Sequence, residues 1–509
     1  MNKTKNSILN AISMFCNTFV ISVLGLVSTN IIIKNYGSDV NGVVATASQI
    51  VNLLLILEGG FTLAVNVSLY KPYISNNYSL INKILSTAKN NFFKIGSIFF
   101  IVGTLVSLIY PFFIKSEMDY FTIFLIFFMV ILSTTYNLVF TLRQQVLFQV
   151  SQKEYIYTLV SLFVNIFSNV TVIFLAYYKF NVLFLRFFVL FYILLYGFIV
   201  HLLFKKYFSY AKFTSFKDDN LIKGTKDLMV QKLTSVVYSS FPLIFISTFV
   251  STKVSSIYAV YNSIYNVIRS GVNSVISAPI NAFGQLISDN KFEKAYTRFI
   301  LYEYIIILFL SILLSCTLCL IIPFVKLYTI NVSEINYVNL TVAVMLAFSV
   351  FFELIHIPSG YIINVSGKFN VSKNINIIVS AILIFLLIFL GIKFDLYGIL
   401  SAIIISNLIL AFLEMWYVHC KTFNSNLKKI FIIILLNLFL IAMLLLFSFK
   451  FNLIFDNYFQ FIKFGIIIFI FNSFIIFLVN YIFFHDMVSE FFKIIKNMFL
   501  KKLLNIKIK

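Results

Sequence analysis

Apolar residues in this chain do not alternate with polar ones. They run on in continuous stretches of about 20 or more, the length a helix needs to cross a bilayer. Polar, lysine-bearing turns separate them. Fourteen such runs can be read, at roughly 8–33, 42–69, 92–114, 120–142, 155–178, 182–204, 228–250, 256–288, 299–322, 338–366, 374–392, 396–418, 430–449 and 459–484. The second, eighth and tenth are long, and are expected to tilt or to lie partly in the interface. Membrane β-barrel strands alternate apolar and polar positions over about 10 residues, which this pattern excludes. The first thirty residues are followed by no small-residue cleavage site, so they read as the first span and not as a signal peptide.

Composition agrees. Of 509 residues 61% are hydrophobic and 11% charged, with a mean hydropathy of +0.98. Soluble domains carry about 25% charged residues, and disordered chains are poor in apolar ones, so both classes are excluded. The formal net charge of +21 would suggest nucleic acid in a soluble protein. In a membrane protein it reports basic loops on the inner side. With the amino terminus inside, about 28 of the 39 Lys and Arg residues fall in inner segments and about 7 in outer loops. The bias alternates at every turn, and both termini are expected on the cytoplasmic side.

Little else carries chemistry. Cys16, Cys316, Cys319 and Cys420 lie in or beside apolar runs, and the Cys316–Cys319 pair lacks the context of a redox motif. No phosphate-binding G-x-x-x-x-G-K-[ST] occurs. The loops are too short to hold an enzymatic domain. No cofactor, no metal and no nucleic acid are expected.

The chain repeats itself. At an offset of 214, Val40, Ala45 and Asn52 recur as Val254, Ala259 and Asn266. VSQKEY at Val150 is echoed by VSGKFN at Val365, and YKFN at Tyr178 by IKFD at Ile392. An even shift of six spans gives both halves the same orientation, a parallel repeat. The expected organisation is an N-lobe over 1–215 (spans 1–6), a C-lobe over 216–420 (spans 7–12), two further spans over 421–485 and a basic amphipathic tail over 486–509.

Three strings carry a resemblance. They are NYGSDVNGVVATASQIVNLLLILEGGFTLAVNVSLYKP from Asn35 to Pro72, LRQQVLFQVSQKEY from Leu142 to Tyr155, and SGKFN from Ser366 to Asn370. With twelve spans in two lobes plus two more, the chain resembles the Wzx-type oligosaccharide (O-antigen or polysaccharide) flippases of the multidrug/oligosaccharidyl-lipid/polysaccharide exporter superfamily. The resemblance implies an all-α polytopic protein of the bacterial cytoplasmic membrane, not an enzyme. It would carry an undecaprenyl-diphosphate-linked glycan across the bilayer for surface polysaccharide synthesis. Its expected partners are membrane lipid and other membrane proteins of polysaccharide assembly, and it is expected to be a monomer. A drug or metabolite exporter of the same superfamily and a membrane sugar polymerase or transferase are the competing readings.

Ionisable groups inside apolar spans are costly and are site candidates by default. Arg269 lies deep in the eighth run, on a stripe with Tyr258, Tyr261, Asn262, Tyr265 and Asn273. The stripe reads either as a cationic wall for diphosphate and sugar or as a buried arginine tied to an acid. Lys232 reads as a headgroup contact or as an inner-entrance contact to diphosphate. Glu58, Glu353 and His356 are candidates for gating or proton coupling. The alternative makes Glu353 and His356, three residues apart, a pair that closes a proline-broken helix. Reporter fusions after residues 215 and 425 are expected to report the cytoplasm, and fusions near 330 and 453 the outside. An inversion at any one of the four overturns the fourteen-span arrangement.

Overall fold

The structure, a computed structural model, describes residues 3–490 except 215, 223, 224, 278, 331, 333 and 452–454, together with 492 and 493. The basic tail beyond Lys493 lies outside the described residues. The helices are α1 (Lys3–Leu54), α2 (Phe61–Ile74), α3 (Tyr78–Ile109), α4 (Tyr120–Tyr136), α5 (Leu142–Val150), α6 (Glu154–Tyr177), α7 (Val182–Tyr207) and α8 (Thr225–Phe245). They continue as α9 (Thr252–Ser277), α10 (Ile280–Ser288), α11 (Phe292–Tyr328), α12 (Leu340–Ile355), α13 (Ile357–Val365), α14 (Phe369–Trp416), α15 (Lys428–Ser448) and α16 (Tyr458–Phe483). No strand occurs among the described residues. Ten helical stretches are long and apolar enough to cross a membrane. Two of them, Ile12–Glu58 and Phe369–Thr422, each hold two of the expected spans, bent at Gly37 and at Phe394–Asp395. The shorter apolar helix Val236–Val250 and the more polar α9 supply the seventh and eighth. The chain is an all-α, multi-pass membrane protein.

The three long runs are interrupted. The second breaks at Gly59–Gly60, the eighth between α9 and α10 beside Pro279, and the tenth at His356, ahead of Pro358. Gly59 and Gly60 hold φ of 56° and 72°, a conformation that glycine adopts without steric cost. Proline lacks the amide and clashes with the preceding turn.

The sequence repeat recurs in the element boundaries. α3 begins at Tyr78 and α11 at Phe292, 214 residues on; α6 begins at Glu154 and α14 at Phe369, 215 residues on. The two VS-x-K turns share a hydrogen-bond pattern. Ser151 N donates to Leu147 O and Lys153 N to Phe148 O at 3.0 and 2.9 Å. Ser366 N donates to Ile362 O and Lys368 N to Ile363 O at 3.0 and 3.1 Å. Gln152 and Gly367 both take positive φ at the same place in the turn.

The described residues form two compact units. The first comprises the chain up to Ser263 with 331–335 and 383–399; the second comprises 264–330, 336–382 and the chain from Leu400 on. In the first unit α1 packs along α6, and α3 along α4. Lipid is as apolar as leucine, so helices associate in it by close packing and not by the hydrophobic effect. Gly96 and Gly103 of α3 supply that closeness, since a Cβ on either would fall 2.3 Å from Val139 and 2.7 Å from Ile131. In the second unit α11 is the central helix, packed by α12, α15 and α16. Polar side chains join it there: Asn472 donates to Ser315 Oγ at 3.3 Å, and the amides of Asn437 and Asn480 pair reciprocally at 3.3 Å. On α16 Phe459, Ile466, Ile470, Phe474 and Ile482 stay exposed, as a lipid-facing surface requires.

Gly398 tests the packing of the first unit. A Cβ there would sit 2.0 Å from the Leu390 carbonyl oxygen, a backbone atom that cannot swing away, whereas one on Gly25 meets nothing within 4 Å. Gly398→Ala is expected to cost roughly 1–3 kcal/mol and to lower the thermal unfolding midpoint in detergent. Gly25→Ala, in a helix with open space around it, should not lower it.

Candidate functional site

Arg269 sits on α9, 17 residues after the helix start, about 26 Å along it at 1.5 Å per residue. Its Nε donates to both carboxylate oxygens of Glu353 on α12, at 3.0 and 2.9 Å. Its Nη1 donates to Asn266 Oδ1 at 2.8 Å. Among the candidates, Arg269 and Glu353 are thus brought together, although 84 residues separate them. Both keep access, with side chains 19% and 34% exposed.

Tyr265 is fully buried and donates its hydroxyl to the Ala343 carbonyl at 2.6 Å, fixing α9 against α12. Tyr261 is equally buried, and Asn262 is half-buried. The Lys232 side chain lies outside the described residues.

Glu58 is buried and works on its own helix. Its carboxylate accepts from Gly60 N at 3.3 Å and Thr62 N at 2.7 Å. Those are the amides that the Gly59–Gly60 break leaves without partners at the start of α2. His356 does not pair with Glu353, three residues before it. Its Nδ1 lies 2.8 Å from Glu414 Oε2 on α14.

A second buried acid–imidazole pair was not anticipated. Glu303 of α11 lies 2.8 Å from His419 Nε2 and accepts from Ser359 Oγ at 3.0 Å. Both members are 1% exposed. The signal was present in the sequence, since Glu303 and Glu414 are carboxylates inside apolar runs. Neither has a neighbour of opposite charge one turn away to draw attention to it.

The GSDVNG string of the first unit also acquires a structural meaning. Asp39 is buried and accepts from the Thr252 hydroxyl, from Ser116 Oγ at 2.8 Å and from Glu117 N at 2.9 Å. Ser38 N donates to Glu334 Oε2 at 2.8 Å, and Asn41 donates to Ser256 Oγ at 2.7 Å. A Cβ on Gly42 would fall 1.9 Å from the Thr252 carbonyl oxygen, so α1 and the first turn of α9 meet backbone to backbone. Gly37, at φ 90°, makes the bend that presents these groups. Together they form a clasp between α1, the α3–α4 loop and the start of α9.

Two cavities stand apart from these pairs. In the first unit, Ser133, Thr134, Asn137, Ser161, Asn165 and Tyr192 help to line a polar cavity of about 250 Å³, suited to a hydroxylated ligand or ordered water. In the second, Cys319, Leu444, Phe447, Ile467 and Phe471 line an apolar groove of about 340 Å³ beside α11, α15 and α16. Among the described residues, no three His, Cys, Asp or Glu side chains gather to hold a metal ion.

No protein-family model and no curated protein sequence matches the chain. Solved structures do. The lipid II flippase MurJ in an inward closed conformation aligns with a TM-score of 0.70 at 17% identity, covering 94% of this chain and 100% of that one. An inward-facing multidrug resistance MATE family transporter of the MOP superfamily aligns at 0.62 and 13% identity, covering 86% and 98%. The MATE multidrug transporter DinF-BH aligns at 0.60 and 16% identity, covering 82% and 97%. The chain therefore shares the fold of these membrane transporters.

The clasp is open to a direct test. Asp39→Ala leaves the Ser116 hydroxyl and the Glu117 amide without their acceptor and the Thr252 hydroxyl with only the Lys115 carbonyl, at 3.0 Å, among the acceptors described, at a cost of about 1–3 kcal/mol. A cysteine placed at Ser255, which is fully buried, is expected to react faster with a membrane-impermeant maleimide in the Asp39→Ala background. Equal labelling rates in both backgrounds would remove Asp39 from the clasp.

Proposed function

We propose that this protein is a flippase that carries an isoprenoid-diphosphate-linked oligosaccharide across the bacterial cytoplasmic membrane, with both termini on the cytoplasmic side. The observation that carries the proposal is Arg269: an arginine 17 residues into α9, partly exposed, and engaged by Glu353 and Asn266 instead of being sealed into the core. A planar guanidinium suits diphosphate better than a lysine ammonium does. The shared fold with a lipid II flippase supports the same substrate class. The apolar groove beside α15 and α16 supports it further, because an isoprenoid chain needs an apolar surface to follow.

Transport proceeds by alternating access between the two repeats, and the Asp39 clasp must open and reform in each cycle. A diphosphate carries about two negative charges. Each charge moved through the membrane potential is worth about 2.3 kcal/mol per 100 mV. An inside-negative potential therefore favours outward movement of the headgroup, and Arg269 lowers the cost of holding the anion in a medium of low dielectric. Lys232 contributes an inner-entrance contact, while Asn262, Tyr261 and Tyr265 shape the helix that presents Arg269.

A multidrug exporter is the second reading, favoured by the MATE transporters that share the fold. The two readings separate on one experiment. At equal membrane abundance, Arg269→Ala should abolish surface glycan and Arg269→Lys should retain part of it. Full display with Ala removes Arg269 from the mechanism, and unchanged glycan on deletion of the whole gene, with altered drug sensitivity, selects the exporter.

A further inference from the structure

The diphosphate reading leaves open why Arg269 is already occupied. Three acid–base pairs between helices of the second unit differ in one respect. His419–Glu303 is sealed, with both side chains 1% exposed, and His356–Glu414 is nearly so, at 13% and 4%. His356–Glu414 ties α14 to the α12–α13 break, Glu303 of α11 meets His419 just past α14 and Ser359 of α13, and parting either pair would leave polar groups unpaired in the core. Arg269–Glu353 alone among the three leaves both side chains substantially exposed, at 19% and 34%. If it parts, the carboxylate can be hydrated and the bundle keeps its two sealed ties.

The contact geometry points the same way. Glu353 engages the guanidinium through Nε, and Asn266 takes Nη1. A carboxylate and a phosphate present the same pair of acceptor oxygens to a guanidinium, so an incoming phosphoryl group competes with Glu353 for the same donors.

Resting on the diphosphate reading, we propose that Glu353 is a resident anion that holds Arg269 between transport cycles, surrenders it to the diphosphate, and thereby sets which anions are accepted. A ligand must outbid a full carboxylate charge at short range. A diphosphate, with two adjacent phosphoryl groups, does so; a single phosphate, with fewer charges and one group to place, does not. Glu353 is thus a specificity-determining residue, and its removal should do the opposite of removing Arg269.

The test uses the full-length protein in detergent and inorganic pyrophosphate as the probe, with orthophosphate as the comparison, by isothermal titration calorimetry. The headgroup analogue alone removes any contribution from the isoprenoid tail. Wild type should bind pyrophosphate and not orthophosphate. Glu353→Gln, which keeps the shape and drops the charge, should bind pyrophosphate about tenfold tighter and bind orthophosphate measurably. Glu353→Asp, which keeps the charge on a shorter arm, should shift both in the same direction by less. Arg269→Ala should bind neither. If Arg269→Ala loses pyrophosphate while both Glu353 variants keep wild-type affinity and selectivity, the resident-anion role is overturned and the diphosphate reading stands. If Arg269→Ala keeps wild-type pyrophosphate binding, the diphosphate reading itself falls. If no variant binds pyrophosphate, both fall. If neither Glu353 variant elutes as a folded, monodisperse protein, Glu353 is a structural tie and the proposal is likewise overturned.

Discussion

A helix that stops inside hydrocarbon must find partners for the backbone groups it frees, because no water is there to take them. This constraint bears on the three long apolar runs. The chain interrupts them at Gly59–Gly60, between α9 and α10 and at the α12–α13 junction, while Gly37 and Phe394–Asp395 make turns between successive runs. Where partners are visible, they come from nearby polar side chains. Glu58 caps the amides of Gly60 and Thr62, and Glu334 takes the amide of Ser38 beside the Gly37 bend.

The charged groups follow the same logic. A carboxylate alone in a membrane helix is expensive, so the three that lie inside apolar runs of the second unit each have a partner on another helical segment. Glu303 has His419, Glu414 has His356 and Glu353 has Arg269. Two of the pairs are buried, and Arg269–Glu353 is the most exposed of the three. Glu58 makes two backbone contacts across the break in its own helix.

Packing and polarity also share the work at the clasp. Gly42 allows α1 to touch the Thr252 carbonyl, and Asp39 then reaches the Thr252 hydroxyl. Either alone would be weak. The close approach lets a buried carboxylate collect three donors, and the three donors make its burial tolerable.

Much of the architecture was legible along the chain because it rests on local properties. Apolar run length needs only neighbouring residues and the 214-residue echo only a comparison along the chain, and the helices, the two VS-x-K turns and the matching helix starts correspond to them. Arg269 was visible for the same reason, as a charge in an apolar run. What the tertiary structure alone decided was partnership. Spacing suggested that Glu353 would meet His356 on its own helix; instead each reaches across to a different one, Arg269 on α9 and Glu414 on α14. The three long runs likewise resolved into broken helices, since whether a glycine pair or a proline interrupts a helix depends on what stands ready to satisfy the freed backbone. A side chain's place in its own helix is written in the sequence, but the helix it faces is fixed only when the bundle closes.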